Sequence, residues 1–101
     1  MSRAMKEARS VVDRKGIAPL RRVANCRPKS YLDDVWVRWQ ARRAEVEKNA
    51  VADLEAAGAR IRWTAQITVI DFGGLRAQST QGLLMALLNW RTRSFAEKSG
   101  S

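Results

Sequence analysis

Residues 67–93 read ITVIDFGGLRAQSTQGLLMALLNWRTR, and this stretch decides the fold. Gly73-Gly74 is a two-residue hairpin signal between two alternating segments. With that turn, Phe72 faces Leu75, Ile70 faces Ala77, and Asp71 sits opposite Arg76. Two apolar pairs then share one face and an opposite-charge pair the other, so the register is self-consistent. Ser79 and Thr80 can cap a helix over residues 81–97. Leu83 to Leu88 is apolar almost all round, so this helix must be buried on more than one side or pair with another chain. Trp90 continues the surface as core or as an interface anchor. Leu84, Leu88 and Trp90 are accordingly candidate interface residues of a homodimer.

Upstream, residues 60–72 alternate. Ile61, Trp63, Ala65, Ile67 and Val69 share one face, and Arg62, Thr64, Gln66 and Thr68 the other. Ile70 and Phe72 reverse that parity, which predicts a bulge or strand break between Thr64 and Ile70. Trp63, on the apolar face, is expected in the core.

Residues 31–57 form the strongest helix pattern. Ser30 is a good N-cap, Asp33 approximates a capping box, and Gly58 is a good stop. Leu32, Trp36, Trp39, Val46, Ala50, Leu54 and Ala57 approximate one stripe. At ~1.5 Å per residue the helix would reach roughly 40 Å, long for so small a domain. Trp36 and Trp39 interleave with Arg38, an arrangement open to base stacking or to an Arg–Trp contact. Their three-residue spacing favours core.

Residues 3–15 carry a thin apolar stripe of Met5, Ala8 and Val12, with Ser2 as cap and Gly16 as a left-handed stop. Ile17 to Arg27 then reads as a connector with a helical turn after Pro19. Pro28 forces Arg27 out of helix and marks a boundary. The expected class is α+β: a basic N-terminal helical arm over residues 1–29, then a domain over 30–101 of long helix, β-hairpin and hydrophobic C-terminal helix.

The chain has 101 residues and a net charge of +9, unevenly spread. Residues 1–30 hold nine Lys/Arg against two acids, residues 31–60 five against six, and residues 61–101 five against two. Such a chain attracts polyanions, so nucleic acid or an acidic protein surface is the natural partner. Arg3, Lys6, Arg9, Arg14, Lys15, Arg21, Arg22, Arg27 and Lys29 are the candidate phosphate contacts. A solvated tail that keeps the protein soluble is the competing reading. A helix-turn-helix over residues 3–25 fits poorly, because Arg22 falls where its second helix needs an apolar residue.

Enzyme chemistry is not expected. There is no His, hence no Ser-His or Cys-His pair, and one cysteine, Cys26, cannot build a zinc site. No phosphate-cradling glycine loop occurs, so no catalytic, cofactor or metal residue is assigned. Asp71-Phe72-Gly73 matches a kinase tripeptide by chance, since the chain is far too short for that fold. No apolar run spans a bilayer and no secretory h-region is evident, so the expectation is a cytoplasmic protein without membrane contact.

Gly74-Leu75-x-Ala77-x-Ser79-Thr80, followed by Ala86-Leu87-x-Asn89-Trp90, resembles a pattern in small uncharacterised accessory proteins of temperate phages and prophages. The resemblance implies a mobile-element protein made in a bacterial host. It carries over no activity and no functional residue. Two readings follow. One is a non-catalytic accessory protein that binds nucleic acid, DNA first, through the phosphate contacts of the arm. The other is a phage-type protein that binds an acidic host protein and inhibits or redirects it. A structural role in a virion is a third and blander option.

Overall fold

Gly73 and Gly74 hold φ of +59° and +82°, where glycine meets no Cβ penalty. Their turn sets β2 (Ile67–Phe72) antiparallel to β3 (Leu75–Ser79). The three pairs that the spacing requires all form: Phe72 with Leu75, Asp71 with Arg76, Ile70 with Ala77. The fold is described from a computed structural model. It describes residues 3–29 and 33–100, without the side chains of residues 3, 4, 33 and 96–100. The expected caps at Ser2 and Ser30, and the stripe member Leu32, lie outside the described residues.

The parity change upstream is a second tight turn. β1 (Arg60–Thr64) pairs with β2 from Thr64–Ile67 to Arg60–Asp71, leaving Ala65 and Gln66 as the turn. Ala65 takes φ +36°. The hairpin is therefore part of a three-stranded meander in the order β1-β2-β3. The turn also reassigns the faces. Ile61, Ile70, Phe72, Leu75 and Ala77 form the buried inner face. Ile67 and Val69, expected to lie beside Ile61, sit half-buried on the outer face. Trp63 keeps its inner parity but lies beyond the core, 52% exposed; its assignment as core does not hold.

α4 (Leu83–Gly100) crosses the inner face and buries Leu83, Ala86, Leu87 and Trp90. The Ser79 hydroxyl accepts the Gln81 amide at 2.9 Å, and Gly82 at φ +99° turns the chain into the helix. Asn89 ties it to β3 by donating to the Gln78 carbonyl at 2.9 Å. Trp90 stacks on Phe72 with 5.7 Å between ring centres, and its indole N–H donates to the Phe72 carbonyl at 3.1 Å. The ring is wholly buried and its one polar atom satisfied.

The N-terminal segment is not an arm. α1 (Arg3–Val11), a π-helical turn (Val12–Ile17) and α2 (Ala18–Asn25) follow one another without a break. Ala8, Val12, Gly16 and Leu20 are all buried, and they are spaced by four. On an α-helix each such step overshoots one turn by about 40°, so the apolar line would wind off its partner. The π turn absorbs that drift by closing i to i+5. Its signature is the Ala18 amide donating to the Asp13 carbonyl. Pro19 supplies a local cause, since it has no N–H for Lys15 and its ring crowds that carbonyl. Gly16, expected as a left-handed stop, is instead mid-helix.

Gly16 is also the tightest point of the core. A Cβ there would lie 2.7 Å from Leu87 Cδ1 of α4 and 3.4 Å from Leu54 Cδ1 of α3 (Asp33–Ala56). Ala8, Val12, Ile17 and Leu20 share one hydrophobic cluster with Leu54, Leu87 and Trp90. The expected boundary at residue 29 therefore does not separate two folding units. The second side of α4 is covered by the chain's own N-terminal helix.

α3 (Asp33–Ala56) ends as expected at Gly58, with φ +108°. The Ala59 amide donates to Leu54 and the Gly58 amide to Glu55, a Schellman stop. Ala50 and Leu54 reach the core. The first half projects beyond it, with Val35 and Val37 57% and 64% exposed, in a molecule measuring 51 × 25 × 22 Å. No helix among the described residues is long and apolar enough to cross a membrane.

Gly16 gives a direct test of the three-helix junction. Replacing helical glycine by alanine gains roughly 0.5–1 kcal/mol of propensity, which offsets part of a mild clash. Gly16→Val adds bulk that Leu87 has no room to avoid. It is expected to lose ~1–3 kcal/mol of stability in urea titrations. An undiminished midpoint would mean that the helices do not meet so closely.

Candidate nucleic-acid interface

One face of the N-terminal helix is committed to the core, and the opposite face carries cations. Lys6, Arg14 and Arg22 recur every eight residues. At about 100° per residue, less through the π turn, they stay within roughly a sixth of a turn of one another. Arg21 and Lys15 flank this line, and Arg27 and Lys29 follow α2. All seven are exposed. The side chain of Arg3 lies outside the described residues. The two acids of this segment subtract little: Glu7 points to solvent, and Asp13 pairs with Arg91 of α4 at 3.4 Å.

Arg9 is not part of the ridge. It is 9% exposed. Its Nε donates to the Ser94 hydroxyl at 3.0 Å and its terminal nitrogen to the Ser94 carbonyl at 2.6 Å. The Phe95 ring lies 4.2 Å from the guanidinium carbon. The Ser94 hydroxyl in turn donates to the Arg91 carbonyl at 2.6 Å. Arg9 fastens α1 to α4, and its charge is spent on that joint.

The interface assignments also change. Trp90 is wholly buried and cannot anchor a partner. Leu84 and Leu88 are half-buried and pack against the core. The surplus apolar surface that pointed to a homodimer is covered from within.

A second basic group surrounds the tryptophans. Trp36 and Trp39 lie half-buried with ring centres 5.2 Å apart. Trp39 is fixed by its indole N–H, which donates to the Val23 carbonyl at 2.8 Å. The Arg27 guanidinium stands 5.2 Å from the Trp36 ring centre and 6.0 Å from that of Trp39; Arg43 stands 5.7 Å from Trp39. These are cation–π distances. Neither ring belongs to the hydrophobic core cluster, and the cations against them are Arg27 and Arg43 in place of the expected Arg38. Below the two rings opens a cleft of about 550 Å³, with Leu20, Val23 and Trp39 on one side and Trp63 on the other.

The outer face of the sheet adds Arg60, Arg62 and Arg76, all exposed. Asp71 accepts from Arg76 Nε at 3.0 Å and from Arg62 at 3.3 Å. The hydrogen bond from Arg76 is the main cause of an Asp71 carboxyl pKa below its ordinary value, opposed by desolvation and helped by the charges of Arg76 and Arg62. The Arg76–Asp71 pair is visible in the hairpin register. Arg62 joins it only through β1, whose turn at Ala65-Gln66 has none of the usual glycine or asparagine signal. Trp63 was likewise hidden, because its alternation with Ile61 placed it in the core.

No family model, curated protein or solved structure matches the chain.

Arg9→Ala should separate structure from binding. It removes the two buried hydrogen bonds to Ser94 and the packing of the guanidinium on Phe95, and is expected to cost roughly 1–3 kcal/mol of stability. Chemical denaturation measures this, and unchanged stability would return Arg9 to the surface charges. Asp71 yields a pH prediction. Its pKa is depressed in the folded chain, so the contribution of the pair is present above the ordinary carboxylate pKa. It is lost as pH falls through the lowered value, below about pH 4. Carboxyl titration by NMR should place the Asp71 midpoint below that of an exposed aspartate, and Arg76→Ala should raise it. A midpoint indifferent to Arg76 would contradict the pairing.

Proposed function

We propose that the chain is a non-catalytic nucleic-acid-binding accessory protein that grips DNA by its phosphates. The observation that carries this is the line Lys6–Arg14–Arg22, flanked by Arg21 and Lys15, on a helix whose other face is locked in the core. Eight residues rise about 12 Å, so the line extends for about 24 Å. Duplex DNA presents one charge per ~1.7 Å of axis, so phosphates are within reach along the whole line. No element is assigned to reading base edges, so duplex binding is proposed to be weakly sequence-specific. The resemblance of residues 74–90 to phage accessory proteins supplies the setting, a mobile element in a bacterial cytoplasm.

A second reading has its own observation. Val35 and Val37 stand exposed on the projecting half of α3. They lie about 200° apart round the helix, so a protein partner would have to wrap this half of α3, and the positive charge suits an acidic one. Nuclease treatment of a lysate before pull-down separates the readings, because a nucleic-acid tether is destroyed and a protein complex is not.

The primary test is a retardation series in salt. If all seven exposed cations engage, log K should fall against log salt with a slope near −6 on duplex DNA. Replacing Lys6, Arg14 and Arg22 together by Ala should flatten the slope by about three. Stability should hold, since none of the three reaches the core. Absence of binding at low salt would sink the reading.

A further inference from the structure

We infer that the cleft around Trp63 is a stacking site for the unpaired bases of single-stranded nucleic acid, with Arg27, Arg43 and Lys48 taking the adjoining phosphates. This rests on the nucleic-acid reading and specifies the form of nucleic acid that the second basic group accepts. Trp63 is a half-exposed indole that shares the inner face of the sheet with Ile61 but stands beyond the core. It lines two cavities at once. One is the cleft of about 550 Å³ shared with Trp39 and Arg27. The other, of about 470 Å³, runs along α3 past Arg43 to Lys48. Arg43 and Glu47 border both. The indole thus stands between two openings, each within the size range of small-ligand pockets.

The chemistry fits bases better than an apolar peptide. Arg27, Arg43 and Lys48 outnumber Glu47, so the rim is positive. Aromatic platforms beside a cationic track are how single strands are held without sequence preference, because every base offers a π face. Trp39 is held by its bond to Val23, so its ring cannot swing into the opening. A duplex cannot use this site, because its bases are already stacked. The ridge on the N-terminal helix serves duplex and single strand alike, whereas the cleft favours the single strand.

The test compares three probes on the full chain at one salt concentration: a twelve-residue oligothymidylate, an abasic strand of equal length, and a twelve-pair duplex. Binding is read by retardation and by quenching of tryptophan emission. The oligothymidylate should bind more tightly than the abasic strand and quench the emission. Trp63→Ala should weaken oligothymidylate binding roughly tenfold, leave the abasic strand and duplex unchanged, and so erase the preference. Trp63→Phe should restore most of it. Circular dichroism confirms that each variant is folded, which the exposure of Trp63 makes the expected result. Equal affinity for thymidylate and abasic strands would overturn the stacking site while leaving phosphate binding intact. Unaltered preference in Trp63→Ala would also overturn it. Failure of all three probes to bind at low salt would overturn both proposals. Binding of an apolar peptide in the cleft, with thymidylate causing no quenching, would reassign it to a protein partner.

Discussion

Three helices meet at Gly16 with no space for a methyl group, and the rest of the molecule is arranged around that approach. Leu87 fills the gap from α4 and Leu54 from α3. Both are wholly buried. Bringing the N-terminal helix this close requires its apolar line to run straight for three steps of four residues. An ordinary α-helix would carry the line away, and the π turn holds it in place. Once seated, the helix covers the side of α4 that the sheet leaves bare. An apolar helix that would otherwise need a second chain becomes the centre of a single core.

The same constraint explains which parts of the fold were legible beforehand. The register of β2 and β3, the stop at Gly58 and the apolar face of α4 are local, each set by residues within a few positions of one another. They were readable. The π turn was not, because Gly16 and Pro19 are breakers in isolation and only the long spacing from Ala8 to Leu20 shows that the helix continues. The parity change did mark the strand break at Ala65-Gln66, but that turn lacks turn chemistry, so the pairing of its two halves as a third strand was not legible. At Gly16 and Pro19 local punctuation hides a periodicity that spans it.

For the candidate site, charge was legible and its disposition was not. The excess of Lys and Arg before residue 30 identifies a basic segment, but not that Arg9 turns inward onto Ser94 while its neighbours turn out. Trp63 shows the reverse error. Its alternation matches Ile61, yet the core ends before it, because α4 crosses β2 and β3 and leaves the far end of β1 to α3. Parity tells which face a residue takes. It does not tell whether anything covers that face.

The distinction between an arm and a packed helix has energetic consequences for binding. A disordered basic segment that folds on its ligand loses about 1–2 kcal/mol of backbone conformational freedom per residue ordered. The core here has already fixed Ala8, Val12, Ile17 and Leu20, so the ridge opposite them is ordered without a ligand. What remains to be lost on binding is side-chain freedom alone. In the proposed binding mode, phosphate contacts from such a surface are individually modest, and a floppy arm would forfeit much of their sum. A preformed ridge keeps it. The apolar spacing of the N-terminal segment, which at first concerns only packing, is therefore also what makes its charges effective as a set.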